Sequence, residues 1–337
     1  MTHQVTLSPS GRTITVEPNE TILEAALREG HAVDYHCANG SCGDCRARIL
    51  EGALADHLHH DYSFKGPDRQ QPMLLMCRAI PASDMMIEVR EAVSVDDIPL
   101  QQIPATVTGR EQLTEDFVEL QVRTPRSQTL RFLAGQHVKL RFSDRLQRNK
   151  SVASCPCNGR DLRFHFRRSP GEPVSDYVFH ELRLRDPVAI EGPYGNFILD
   201  ETGDRKIVLL AYETGFAPIK SLIEHAISLD LQVPVELVWF ARDNGGHYLK
   251  NQCRAWRDAL DNFNFRLVRI SSLADKNRFD TAAVQSAVEK VFDSRKGASG
   301  IDTYVSAPEP LYLEFKEIVE TRSHSDVRIY RDDLKRY

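Results

Sequence analysis

Apolar and polar residues alternate over residues 3–8 and 12–17, either side of Pro9-Ser10-Gly11, and this pattern predicts a β-hairpin. The following TILEAALREG changes to a helical period. Thr21 and Glu24 fit a capping box, and Gly30 stands where the helix should stop. A cysteine-rich loop and a late strand, MMIEV at 85–89, complete a small β-grasp-like domain. The polar stretch EAVSVDDIPLQQIP reads as a linker over 91–104. From 105 to about 198 the segments ATVTGREQLTEDFVELQV, HVKLRF, SVAS, LRFHFRR and VAIEG are short, β-rich and divided by turn residues. They predict an antiparallel barrel, interrupted by one helix at VSDYVFHEL.

Beyond residue 206 the period switches repeatedly between two and 3.6. KIVLL, VELVWFA, FRLVRISS, DTYVSA and VRIY read as strands. PIKSLIEHAISL, YLKNQCRAWRDAL, TAAVQSAVEKVF and PLYLEFKEIVETR read as the helices between them. Such a series implies an open parallel sheet. In its first helix Ile219, Leu222, Ile223, Ala226 and Ile227 form one apolar stripe, and Pro218 sits in the first turn. The chain therefore divides into a β-grasp domain (1–93), a barrel domain (100–200) and an α/β domain (204–337).

Charge and length refine this picture by exclusion. The 337 residues suffice for two or three domains, and the net charge of −5 gives no reason to expect nucleic acid or an anionic membrane as partner. No apolar run is long enough to span a bilayer, and the alternating N-terminus lacks the apolar block of a signal peptide. The expected location is the cytoplasm.

Seven cysteines carry the first specific chemistry. An odd, clustered set in such a chain argues against a disulfide framework. Cys37, Cys42 and Cys45 are spaced C-x4-C-x2-C, and Cys77 follows in LLMCRA. This is the plant-type [2Fe–2S] spacing. Gly40 and Gly43 permit the backbone angles that let amide groups point at the sulfurs. A structural zinc site would usually show two C-x2-C pairs, whereas Cys77 stands alone. Cys155 and Cys157 have no further ligands nearby and read as ordinary residues of a barrel strand and turn. Cys253, beside Trp256, reads as core.

In this domain order the chain resembles the iron–sulfur flavoprotein reductases, in which a plant-type ferredoxin precedes a ferredoxin–NADP-reductase-like pair of domains. That family includes reductase components of oxygenases and CDP-6-deoxy-glucoseen reductases. The motif R-x-Y-S-x-x-S corresponds to Arg148, Lys150, Ser151 and Ser154, the pyrophosphate loop to Arg168 through Gly171, Val174 and Ser175, and G-P-x-G to Gly192-Pro193-Tyr194-Gly195. The resemblance implies FAD held by these residues, with Ser151 against the redox-active ring nitrogen as the catalytic position. It also implies NAD(P)H at Thr214, Gly215, Ala217 and Pro218, with Arg242 and Tyr248 nearby. Electrons would pass from NAD(P)H through FAD to the cluster, then to a partner protein such as an oxygenase.

Four positions depart from the family pattern. Lys150 replaces an aromatic residue, and Glu213 replaces the glycine before Thr214. Val305-Ser306-Ala307-Pro308 replaces a C-G-P cluster, and Arg331-Asp332-Asp333-Leu334 replaces a terminal aromatic. Glu213 could repel a phosphate, occupy the helix N-terminus itself, or point outward. Lys150 could lie beside the flavin ring or face solvent. Two other readings follow: a relay with a degenerate nucleotide site, reduced by a partner protein, or a ferredoxin fused to an interaction scaffold.

Overall fold

The computed structural model describes residues 1–92, 94–201, 204–242, 244–270, 281–292, 300–322 and 326–332. The first domain opens with the hairpin β1 (His3–Ser8) and β2 (Arg12–Val16), followed by α1 (Ile22–Arg28). Thr21 caps α1 as the sequence predicts. Its hydroxyl accepts from the Glu24 amide, and the Glu24 side chain returns to the Thr21 amide. Strands β3 (Arg46–Glu51), β4 (Leu54–His57), β5 (Met73–Leu75), β6 (Ala79–Pro81) and β7 (Met85–Glu88) follow. They build a five-stranded sheet, ordered β2-β1-β7-β3-β5, with β4 and β6 paired separately. Helix α1 lays Ile22, Leu23, Ala25 and Ala26 on the core of Val5, Leu7, Ile14 and Ile87.

Strand β8 begins at Gln101, so the last residues assigned to the linker are already sheet. β8 (Gln101–Thr114) and β9 (Phe117–Arg123) form a hairpin. β10 (His137–Arg141), β11 (Gln147–Ser151), β12 (Asp161–Arg167), α2 (Pro173–Asp176) and β13 (Pro187–Tyr194) follow. The order β11-β10-β13-β8-β9-β12 is antiparallel throughout. The strand expected at 151–154 ends at Ser151. Beyond it the Val152 amide bonds the Gln136 carbonyl and the Ala153 amide the Arg163 carbonyl, so this segment bridges the two ends of the curled sheet.

The third domain alternates β14 (Lys206–Tyr212), α3 (Phe216–Ser228), β15 (Val235–Ala241), α4 (Lys250–Ala259), β16 (Phe263–Arg269), α5 (Thr281–Phe292), β17 (Ile301–Ser306), α6 (Glu309–Arg322) and β18 (Val327–Arg331). The sheet is parallel, ordered β16-β15-β14-β17-β18. Every residue of β14 is buried, as expected for a strand covered on both faces. The predicted stripe of α3 is in the core except at Ile227, which is 38% exposed near the helix end.

Polar contacts tie the three domains together. Arg12 of the first and His225 of α3 both bond Glu201, each at 2.9 Å. Lys220 and Ser221 of α3 donate to the carbonyls of Ala153 and Ser154 at 2.9 and 2.8 Å. Tyr248 enters the barrel wall, stacked on Phe117 with ring centroids 4.6 Å apart, its hydroxyl 2.9 Å from His165 Nδ1.

Candidate functional site

The loop between α1 and β3 brings three cysteines together, and the turn between β5 and β6 adds the fourth. Ala38, Gly40 and Gly43 all have positive φ, at 51°, 81° and 82°. These angles turn the backbone amides inward. The Cys42 amide lies 3.4 Å from Cys37 Sγ, and the Asp44 amide 3.4 Å from Cys42 Sγ. Cys45 Sγ lies 3.2 Å from Cys77 Sγ. Cys37, Cys45 and Cys77 are buried, while Cys42 is partly exposed.

The electrostatics favour thiolates at two of these positions. Burial resists ionisation of Cys37, yet hydrogen bonds from Ser41, Asn39 and Cys42 hold it down at about 6. Burial raises Cys42 to about 11. The hydrogen bond donated by Cys45 raises Cys45 itself and lowers Cys77. Among the described residues, no group of three or more potential ligands closes to the spacing of a single metal ion. The sulfurs instead form two pairs, Cys37 with Cys42 and Cys45 with Cys77. Two thiolates for each of two irons is the demand of a [2Fe–2S] rhomb, so these residues fit that cluster.

Folded over the loop are His60, Tyr62 and Phe64. A methyl group on Gly43 would stand 2.1 Å from the Tyr62 ring, and one on Gly40 would stand 2.6 Å from His60. The rim of Ala38, Asn39, Ser41 and Asp44 is exposed. On the other side the loop is docked on the barrel. His36 accepts from the Thr129 amide and hydroxyl at 3.1 and 3.0 Å, and Asp34 pairs with Arg131.

The barrel residues of the flavin motif are close together but already engaged. Arg148 Nη1 lies 2.6 Å from Glu172 Oε2. The same carboxylate caps α2, accepting from the Val174 amide at 3.3 Å and the Ser175 amide at 2.7 Å. Ser175 Oγ accepts from the Ser169 amide at 2.8 Å, and Gly171 turns the loop at φ 81°. An arginine and two helix-start amides converging on one point form an anion site. Here that anion is Glu172, which the sequence reading passed over. Lys150 does not face solvent. It is buried with Nζ 4.3 Å from the Phe166 ring centroid. Ser151 is buried, and Ser154 keeps a buried hydroxyl with no hydrogen-bond partner, the one orphaned polar atom on this strand extension.

At the carboxyl end of β14 the chain turns through Glu213, Thr214 and Gly215 into α3, all three buried. A methyl on Gly215 would lie 2.2 Å from the Ser306 carbonyl, so this turn abuts β17. In a parallel sheet the crevice between β14 and β17, where strand order reverses, is the nucleotide position. Glu213 takes φ 44°, a conformation that favours glycine. Its carboxylate neither caps α3 nor points outward, the two non-repulsive placements the sequence left open. Arg167 at the end of β12 reaches across from the barrel and donates to Glu213 Oε2 at 2.6 Å. A second carboxylate, Asp332, accepts from Ser306 Oγ at 2.8 Å in the same crevice. Arg242 donates to the Tyr212 hydroxyl at 2.8 Å, and Tyr248 is taken up by the barrel contact. Pro218 stands in the first turn of α3. Asp333 and Leu334, where the terminal aromatic would fall, lie outside the described residues.

One local pairing goes beyond the sequence reading. Cys155 and Cys157 form a disulfide in the turn that follows the Ser154 segment, which packs against α1 and α3. Their separation of two residues brings the Cα atoms to 5.2 Å, within bridging range. A count of cysteines could not see this, because the pairing is local and no framework is involved.

Comparison with known proteins gives three family matches in the same order. Residues 5–82 match the 2Fe-2S iron-sulfur cluster binding domain, 104–198 the oxidoreductase FAD-binding domain, and 209–313 the oxidoreductase NAD-binding domain. Reductase component 2 of terephthalate 1,2-dioxygenase from Comamonas is 29% identical over 280 residues, covering 82% of this chain and 81% of the relative. The CDP-6-deoxy-L-threo-D-glycero-4-hexulose-3-dehydrase reductase of Yersinia pestis is 31% identical over 239 residues, 71% of each chain. Among solved structures, the Amycolatopsis reductase GcoB superposes with a TM-score of 0.59 at 26% identity, covering 98% of both chains.

Proposed function

Because the chain belongs to the iron–sulfur flavoprotein reductases, oxidoreductases that join [2Fe–2S], FAD-binding and NAD-binding domains, we propose that it feeds single electrons from its cluster to a partner protein in the cytoplasm. The partner class is an oxygenase or a similar redox enzyme, the kind that relatives such as the terephthalate dioxygenase reductase are named for. In the family scheme FAD splits a two-electron donor into single electrons that the cluster can carry. No helix among the described residues is long and apolar enough to cross a membrane.

The observation that carries this reading is the cysteine loop. Cys37 with Cys42 and Cys45 with Cys77 would hold the two irons, and inward amides would offset the negative charge on the sulfurs. Burial of Cys37, Cys45 and Cys77 keeps water from the cluster. The partly exposed Cys42 and the rim of Ser41 and Asp44 provide the exit toward a partner. Ser151, buried at the end of β11, is the residue proposed to face the flavin ring, with Arg148, Lys150, Ser154, Gly171, Val174 and Ser175 around it. Thr214, Gly215, Pro218 and Arg242 are the corresponding proposal for the dinucleotide.

The test is the electron paramagnetic resonance spectrum of the reduced protein after cluster reconstitution, followed by single-turnover mixing with candidate oxygenases. A rhombic [2Fe–2S] signal that disappears on mixing supports the reading. A protein that binds zinc and no iron would sink it.

A further inference from the structure

Both phosphate positions of the reductase half contain a carboxylate of the chain itself. In the FAD-binding domain, Arg148 and the amides of Val174 and Ser175 converge on Glu172 within 2.6 to 3.3 Å. In the NAD-binding domain, Glu213 fills the strand–turn–helix at the sheet's switch point and is bound by Arg167 at 2.6 Å. Its side chain runs toward the end of β15, where a methyl on Gly246 would lie 3.5 Å from Glu213 Cγ. Two glutamates in two unrelated loops thus repeat one arrangement: a carboxylate at the start of a helix, neutralised by an arginine from another element.

We propose that Glu172 and Glu213 are built-in competitors of the cofactor phosphates, so that FAD must displace Glu172 from Arg148 and the dinucleotide must displace Glu213 from Arg167. This rests on the family reading of the two domains. A carboxylate and a phosphate cannot share one cationic site, because like charges within about 4–5 Å repel strongly at the dielectric of a protein cleft. The two competitors differ in kind. Glu172 lies in an exposed loop, with its side chain 30% accessible, and can swing aside on its own. Glu213 is buried in a left-handed conformation and bridges barrel to sheet, so it is displaced less readily. Asp332 adds a second negative charge to the same crevice. FAD is therefore admitted more readily than NAD(P)H. The chain accepts electrons from a dinucleotide only when the Arg167–Glu213 bridge opens.

The experiment measures binding on full-length, cluster-loaded protein. FAD is followed by quenching of flavin fluorescence and NADH by calorimetry, for wild type, Glu172→Gly, Glu172→Gln and Glu213→Gly. The glutamate variants at 172 should tighten FAD on the order of ten- to a hundredfold, and adding Arg148→Ala should abolish the gain. Glu213→Gly should tighten NADH by a similar factor and leave FAD unchanged, since glycine also suits the φ of 44°. Glu172→Gln preserves the helix cap without the charge, so it covers a failure of Glu172→Gly to fold. Wild-type protein that binds both cofactors tightly, with affinities unmoved in the variants, would overturn the proposal. Loss of the cluster signal in wild type would instead overturn the electron-transfer reading, independently of either affinity.

Discussion

Replacing Gly43 with alanine tests whether the cluster loop is held by contact as well as by backbone angle. Gly43 has φ 82°, where an L-residue costs about 1–2 kcal/mol. The added methyl would stand 2.1, 2.2 and 2.7 Å from three atoms of the Tyr62 ring. That ring is not free to swing away: it packs edge-on against Phe64 with centroids 5.4 Å apart and lies on the domain core. Overpacking of this kind costs a further ~1–3 kcal/mol. The sum, about 2–5 kcal/mol, is a large share of the stability of a small domain. Gly11→Ala supplies the internal control. Its φ is 75°, nearly the same, but nothing lies within 4 Å of the new methyl. Only the backbone cost remains there. Following cluster absorbance during thermal unfolding, Gly43→Ala should melt well below Gly11→Ala, and Tyr62→Ala in the Gly43→Ala background should recover the difference between them. Equal melting of the two alanine variants would refute the contact argument.

Other outcomes follow from the same geometry. Cys77→Ala should lose bound iron, because Cys45 then has no partner 3.2 Å away to complete its pair; unchanged iron content would defeat the ligand assignment. Burial holds His31 and His165 neutral, each lowered to about 4 from the ordinary 6.5. Between those values the unfolded chain takes up protons that the folded chain refuses, so stability should fall as pH drops from 6.5 toward 4. Urea midpoints at pH 7, 6 and 5 measure this, and a flat series would contradict it. Arg167→Ala should destabilise by about 2–4 kcal/mol, because a buried carboxylate, Glu213, loses its 2.6 Å ion-pair partner. The cost stays below that of a fully buried pair since the Arg167 side chain is 31% exposed. Adding Glu213→Gly should restore most of the loss in chemical denaturation.

How much of this was legible in the sequence depends on how far apart the cooperating residues stand. The four cysteines proposed as cluster ligands sit mostly within one loop, and their spacing carries the chemistry directly, so Cys37, Cys42, Cys45 and Cys77 could be proposed from the chain alone, and the structure brings them together. The capping box at Thr21 and Glu24 is equally local, and the structure realises it atom for atom. The alternating strands and helices after residue 206 were legible because each period persists over several residues. The failures are local too, but of another kind. The Cys155–Cys157 bridge depends on a turn whose shape composition does not reveal. Glu172 caps α2 from two residues before the Val174 amide, but glutamate is not among the residues that favour a cap position, so the chain gives little sign of it.

Glu213 marks the limit of local reading. From the chain it had three possible placements, and each followed from its neighbours in the turn. The structure supplies a fourth element, Arg167, 46 residues earlier and in another domain. No pattern within a turn can specify that partner, because it is chosen by how the barrel and the parallel sheet dock. The docking is fixed in turn by Lys220 and Ser221, which read as ordinary helix positions, on the barrel carbonyls, and by Tyr248, which the resemblance placed near the dinucleotide, against Phe117 and His165. These contacts bring the end of β12 to within hydrogen-bonding reach of the end of β14. Once they do, a glutamate at the turn has a cation to bind and an arginine at the barrel edge has an anion. The glycine typical of a phosphate turn would leave Arg167 without this carboxylate partner. The substitution at position 213 and the arginine at position 167 are thus two halves of one feature, and neither is interpretable without the other.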